Sequence, residues 1–201
     1  MISWPFSLTH GDLTLRPLKL SDRRQWNQVQ QRNREWLKPW QATLPGGQKP
    51  SEKFIDHFRY QNRMARSGRD FSLGIFHNGD FVGGITLGNV TWGSARNAYI
   101  GYWIDISRAG MGITPTAVAM LTDWAILVAG LHRIEISIRP ENARSIRVVE
   151  KLGYKEEGYR TRFLHIDNDW RDHVVYVMSE DQIRLQTLTS KRPIIHLRHS
   201  A

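Results

Sequence analysis

Between Ala98 and Leu131 the chain reads A-Y-I-G-Y-W-I-D-I, then S-R-A-G-M-G-I, then T-P-T-A-V-A-M-L-T-D-W-A-I-L-V-A-G-L. The first run is an apolar strand, the second a turn carrying Gly110 and Gly112, the third a long apolar helix. Such a turn presents backbone N–H groups at a helix N-terminus, which suits a diphosphate. The rest of the sequence can be laid out around that anion site.

Upstream, Asp12 to Leu18 alternates and predicts a first strand. Ser21 offers an N-cap for a helix that Pro39 ends. Trp36 to Pro50 contains L-K-P-W and L-P-G-G and must be a loop. Ser51 caps a second predicted helix to about Arg66, with Phe54, Ile55 and Phe58 as its buried stripe. F-S-L-G-I-F and F-V-G-G-I-T-L then flank H-N-G-D, and Asn-Gly between alternating runs is a strong hairpin signal. The strand Tyr99–Asp105 continues this antiparallel set.

In the central segment Thr114 fits an N-cap and Pro115 a first helical residue, with Gly130 as the stop. H-R-I-E-I-S-I follows as a strand, and strand–helix–strand implies parallel pairing through a right-handed crossover. A short helix is expected from about Asn142 to Leu152, stopped by Gly153. Two closing strands, Tyr154–Arg160 and Arg171–Met178, flank a turn at Asp167-Asn168. Periodicity fades after Gln182. The expectation is one mixed α/β domain over residues 1–182 and a basic, loosely ordered tail over 183–201.

The chain has 201 residues, enough for one sizeable core, and its 40 % apolar content is ordinary for a globular protein. The absence of cysteine excludes disulfides, a thiol nucleophile and cysteine-based metal sites, and no metal is expected. No apolar run approaches the ~20 residues of a membrane span, and the N-terminus lacks signal-peptide features, so the expected location is the cytoplasm. The net charge is +9, of which Arg184, Lys191, Arg192 and Arg198 in the last nineteen residues supply +4. Such a surface favours polyanions: a nucleotide cofactor, RNA or a ribonucleoprotein. Simple solubility is the plainer explanation.

Three phosphate-binding motifs compete for the turn. A P-loop requires a lysine and a hydroxyl that this frame lacks. A dinucleotide fingerprint requires G-x-G-x-x-G near the start of a βαβ unit, and Gly110-x-Gly112 supplies only its first half. The third adds a second element: N-x-x-S (Asn142–Ser145) ahead of E-K-L-G-Y. With the strand–turn–helix before it, this resembles the GNAT superfamily of acetyl-CoA-dependent N-acetyltransferases, from roughly Asp12 to Met178. N-R-E-W-L-K-P-W (Asn33–Trp40), the N-x-x-S helix and D-W-R-D-H-V (Asp169–Val174) are similar to the RimJ/RimL-type ribosomal-protein N-terminal (alanine) acetyltransferases.

The resemblance implies a mostly antiparallel sheet with one splayed parallel strand pair flanked by helices. It implies acetyl transfer from acetyl-CoA straight to an amine, with no covalent enzyme intermediate. The family turn, [QR]-x-x-G-x-[GA], falls on Ala109 to Thr114. Gly112 matches, Ala109 and Thr114 depart from the ends, and Arg108 sits one residue early. Trp103, Ile104, Asp105, Arg108, Ala109, Gly110, Met111, Gly112, Ile113, Thr114, Asn142, Ser145 and Arg147 are the expected coenzyme A contacts. Many members carry a tyrosine acid seven residues after the asparagine; here that position is Val149. The resemblance therefore points to Ser145 as the acid, with a helix-start cap as the alternative, and to Asn142 beside it. Where some relatives have a glutamate base, this chain has Ser137. Glu135, two residues earlier on the same strand face, is the first candidate base. Asp105, His165, Asp167 and plain water remain open.

Trp36, Trp40, Tyr99, Tyr102 and His165 are the candidate acceptor contacts. The expected acceptor is a protein N-terminus, ribosomal by the resemblance, with ribosome or RNA contact through the basic surface and tail. The oligomer is expected to be a monomer or homodimer. Two rivals remain: a small-amine acetyltransferase acting on a polyamine, amino acid or aminoglycoside, and a ribosome-associated factor with little transfer activity.

Overall fold

The computed structural model describes residues 2–47, 51, 53–187 and 196–198. Its elements alternate around one sheet. β1 (Ser7–His10) and β2 (Leu13–Arg16) form a hairpin turned at Gly11; β2 is the predicted first strand, and β1 before it was not expected. α1 (Arg23–Arg32) and the single turn α2 (Arg34–Leu37) follow. Asp22, not Ser21, sits at the start of α1, where its carboxylate accepts from Arg16 at 2.8 and 3.0 Å and from the Lys19 N–H at 2.7 Å. α3 (Phe54–Arg66) has Lys53 at its cap position, two residues later than the expected Ser51. The Ser51 hydroxyl instead bonds the Asp56 carboxylate at 2.6 Å. Phe54 is buried, but Ile55 points outward, because one residue turns a helix by about 100°.

β3 (Phe71–His77) and β4 (Asp80–Thr91) form the expected hairpin, with Asn78 and Gly79 at φ 52° and 84°. β5 (Asn97–Ile104) leads into α4 (Ile113–Asp123), which continues as a π-helical turn over Trp124–Val128 to Gly130. β6 (Arg133–Ile138), α5 (Ala143–Leu152), β7 (Lys155–Ile166) and β8 (Asp169–Ser179) complete the expected order. Beyond them lie α6 (Glu180–Thr187) and β9 (His196–Arg198), the latter pairing antiparallel with β1. The expected loose tail thus includes the end of a helix and a short strand. Elements this short leave no readable period in a sequence. Residues 188–195 and 199–201 of that tail lie outside the described residues.

The sheet runs β7-β8-β6-β5-β4-β3-β2-β1-β9. Among the described strands every pairing is antiparallel except β5 with β6. That parallel pair holds together only from Asn97–Arg133 to Tyr99–Glu135. β5 then continues to Ile104 and β6 to Ile138 without pairing to one another, which opens a wedge in the middle of the sheet. The mixed sheet with a splayed pair is as expected.

Two apolar clusters cover the two faces. Neighbours in β4 divide between them, Val82 joining one and Phe81 the other. The larger takes Ile113, Ala117, Val118, Met120, Leu121 and Trp124 from the α4 segment. The smaller is Leu18, Trp26, Val29, Phe54, Phe76 and Phe81, which seats α1 and α3. Among the described residues no helix is long and apolar enough to cross a membrane.

Candidate active site

A cleft of about 1860 Å³ follows β5 along its length. At the C-terminal end of β5 a tight turn over Ile106–Arg108 leads to Ala109 in extended conformation. Gly110 and Gly112 then take φ of 81° and 78°, a region side chains other than glycine rarely adopt. Gly112 is the residue at the helix start, so α4 begins at Ile113, one residue before the expected Thr114 cap. Pro115 is then the third helical residue, where its missing N–H still costs nothing. Arg108, Ala109, Gly110, Gly112, Ile113 and Thr114 line the cleft. Met111 does not and is 56 % exposed.

Asp105, expected beside the cofactor, is fully buried and absent from the cleft wall. It accepts from Arg32 Nε at 2.9 Å, with a closer contact to Nη2, from Asn33 Nδ2 at 3.0 Å and from the Ser107 N–H at 3.2 Å. Burial pushes its carboxyl up, but the bonds from Arg32, Asn33 and Ser107 outweigh that and hold it below the usual value. Asn33 also donates to the Val29 carbonyl at 2.8 Å and accepts from the Ile106 N–H at 2.9 Å. The first asparagine of N-R-E-W-L-K-P-W therefore clamps the end of α1 to the anion turn. That role explains both side chains without a ligand.

α5 forms one wall. Asn142 caps it, accepting from the Ser145 N–H at 3.2 Å. Arg144, Arg147, Val148 and Lys151 line the cleft at three- and four-residue spacing, which sets them on one helix face. Arg144 lies over the Trp36 ring at 4.6 Å. Lys151 and Arg144 were not singled out by the sequence reading, although their spacing from Arg147 was available.

Beside the wedge between β5 and β6, Tyr102 on β5 meets Ser145 on α5. The Tyr102 phenol lies 2.6 Å from the Ser145 hydroxyl, and both residues line the cleft. Burial pushes the Tyr102 phenol up to about 12, the bond to Ser145 opposing it. Tyr102, expected as an acceptor contact, is thus the partner of the expected acid. Val149 is fully buried against the core, so its position offers no alternative acid.

Glu135 is not in the cleft wall. Its carboxylate accepts from Arg133 at 3.1 Å and Arg160 at 2.9 Å, and Arg133 also pairs with Glu157. Glu135, the first candidate base, therefore lies in an ion-pair network outside the cleft rather than beside the Tyr102–Ser145 pair. His165 is also outside the wall. Its Nδ1 meets the Thr43 hydroxyl at 2.7 Å and its carbonyl accepts the Thr43 N–H at 2.8 Å, tying the loop after α2 to the β7–β8 hairpin.

Trp36, Trp40 and Tyr99, the candidate acceptor contacts, and Trp103 and Ile104, candidate coenzyme contacts, line the cleft. Tyr99 lies flat over Gly88, where an added Cβ would come within 2.5 Å of the ring. The opposite wall is α3, with Asp56, His57, Arg59, Tyr60 and Arg63. Sequence reasoning missed this wall, because a polar helix face looks the same toward a cleft as toward solvent. Desolvation lowers the His57 imidazole, which stacks near Trp26 at 5.2 Å. Among the described residues no cluster of His, Asp or Glu could hold a metal ion.

These features fit coenzyme A. Backbone N–H groups at a helix start suit its diphosphate, Arg147 and Lys151 in the cleft wall would supply countercharge, and the wedge would take its narrow arm. Fold and cleft together define a class: a coenzyme A-dependent acyltransferase with a splayed mixed sheet.

Comparison with known proteins narrows that class. The family model for the acetyltransferase (GNAT) domain matches residues 12–155. The probable N-acetyltransferase YjcK of Bacillus subtilis is 31 % identical over 170 residues, covering 80 % of this chain and 90 % of its own. The [ribosomal protein uS5]-alanine N-acetyltransferase of Escherichia coli is 30 % identical over 155 residues, with 73 % and 77 % covered. The structure of Mycobacterium smegmatis RimJ in complex with CoA-disulfide superposes with a TM-score of 0.84 at 32 % identity, covering 94 % of this chain and 97 % of that one. This chain belongs to the GNAT acetyltransferase family and is an acetyl-CoA-dependent acetyltransferase, related to the ribosomal-protein alanine acetyltransferases.

Proposed function

We propose that the enzyme acetylates the N-terminal α-amino group of a protein, a ribosomal protein being the substrate class, by direct attack on acetyl-CoA. One observation carries this reading: beyond the Tyr102–Ser145 pair the cleft continues between aromatic walls with hardly any acidic lining. Among the described residues its carboxylates are Asp56 and Glu141, and Glu141 is paired with Arg139 at 3.2 Å. A polyamine or aminoglycoside needs several carboxylates; an extended peptide needs a narrow apolar trough. The name of the Escherichia coli relative supports the same substrate class.

Acetyl-CoA supplies the acetyl thioester, and this chain's residues do the rest. As the C–N bond forms and the C–S bond breaks, Ser145 donates its proton to the departing sulfur and takes one back from solvent. The Tyr102 phenol stays protonated at working pH and donates to Ser145 Oγ, which sharpens Ser145 as a donor. Asn142 fixes the backbone at Ser145. The proton of the attacking amine passes to water, since an α-amino group has a pKa near ~8 and is partly neutral already. The basic tail and surface contact the ribosome, and the reaction takes place in the cytoplasm.

Acetyl-CoA turnover on peptides with Ala or Ser N-termini, beside spermidine and free amino acids, tests the proposal. Turnover of peptides above the small amines is expected. Turnover of spermidine with none of any peptide would overturn it.

A further inference from the structure

The outer half of the cleft carries a charge pattern that acetyl transfer itself does not need. α3 presents Arg59, Tyr60 and Arg63 to the cleft, all three exposed at its rim. Arg63 lies 5.5 Å from the centre of the Tyr60 ring, and among the described residues neither arginine has a carboxylate partner. This group sits at the Tyr99 end of β5. Burial first, then the Asp70 carboxylate and the Tyr60 phenol beside it, hold the Tyr99 phenol above its ordinary value. The anion turn lies at the other end of β5, with Arg108, Arg147 and Lys151 within its reach to meet coenzyme phosphates. Arg59 and Arg63 are therefore left for the acceptor.

We propose that Arg59 and Arg63 form an acidic-residue subsite for the acceptor chain, so that the preferred peptide carries Asp or Glu at its third or fourth residue. This rests on the peptide reading above. The position follows from strand geometry. Tyr102 marks the reacting end; the Tyr99 backbone is three residues away along β5, about 10 Å at ~3.3 Å per residue, with its ring on the opposite face, the one α3 covers. An extended acceptor with its amine beside Ser145 brings its third or fourth side chain to that point. An RNA contact by the same arginines is the competing use. The cleft favours the peptide, because both guanidinium groups line the trough the acceptor must occupy rather than a convex face.

The test uses the full chain and hexapeptides that differ only in Glu, Gln or Lys at position three or four. The expected order of kcat/KM is Glu above Gln above Lys, with Glu over Gln by roughly three- to tenfold for one carboxylate meeting two rim arginines. In the double variant Arg59→Glu/Arg63→Glu the order should invert, with the Lys peptide the best. Equal kcat/KM for all peptides, with peptides still turned over, would overturn the subsite and leave the peptide reading standing. Turnover of small amines alone would overturn the peptide reading first. Loss of salt-sensitive RNA binding in the double variant, with an unchanged peptide order, would assign the arginines to RNA and sink the proposal.

Discussion

Removing the Tyr102 hydroxyl isolates the contact between β5 and the start of α5. Tyr102→Phe keeps the ring in the cleft wall and deletes the 2.6 Å bond to Ser145 Oγ together with the longer 3.4 Å bond to the Ser145 carbonyl. A neutral, partly buried hydrogen bond is worth about 1 kcal/mol net. If that bond polarises Ser145 during thioester cleavage, kcat falls by roughly fivefold. Ser145→Ala removes the acid and should lower kcat by about 100-fold. The decisive measurement is the double variant. If Tyr102 acts only through Ser145, adding Tyr102→Phe to Ser145→Ala changes kcat by less than about twofold, a coupling near 1 kcal/mol. KM for acetyl-CoA should stay within about threefold throughout. Released coenzyme A can be followed with a thiol-reactive chromophore, free of background from a chain that has no cysteine. Additive losses in the double variant would refute the reasoning, because Tyr102 would then act on the substrate itself. The raised phenol adds a stability readout. Its folded value, about 12, lies above the unfolded value near 10, so its contribution is intact below pH 10 and is lost as pH rises toward 12. Tyr102→Phe should flatten that alkaline decline.

Asn33→Ala leaves the Ile106 N–H and part of Asp105 without partners in a fully buried place. A loss of about 2–4 kcal/mol is expected, seen as a Tm lower by roughly 10 °C. Asp105 and Asp22 both titrate below the ordinary 3.8. Their contributions are present above that value and are lost as pH falls through the depressed native ones, so Asp105→Asn should flatten the fall in urea midpoint below pH 4. Glu135→Gln should leave kcat within about twofold while lowering stability; a 100-fold loss of kcat would restore Glu135 as the base. Arg147→Ala with Lys151→Ala should raise KM for acetyl-CoA about tenfold with kcat little changed, as expected for countercharges that bind the coenzyme equally in ground and transition states.

Local rules were enough for part of this protein. The turn from Arg108 to Thr114, the Asn142 cap, the Asn78-Gly79 hairpin and the buried α4 are all legible in sequence, because each is set by residues within one or two turns of one another. The start of α4 slipped by two residues for the same reason: Gly112 and Thr114 are both good local starts, and the left-handed Gly112 wins where the chain leaves the anion turn. What tertiary structure decided is which polar groups meet across long separations. Tyr102 and Ser145 are 43 residues apart, Arg32 and Asp105 are 73, and Thr43 and His165 are 122. A sequence pattern reports the face on which Glu135, Asp105 or Arg59 lies, but not what stands opposite. Two arginines turned Glu135 into a structural ion pair, Asn33 and Arg32 turned Asp105 into an anchor, and the seat of α3 on Trp26 and Phe76 turned an ordinary polar helix face into a wall of the cleft. Chemistry at this site depends on those long-range meetings, because proton transfer and charge pairing act over a few ångströms and take no account of distance along the chain.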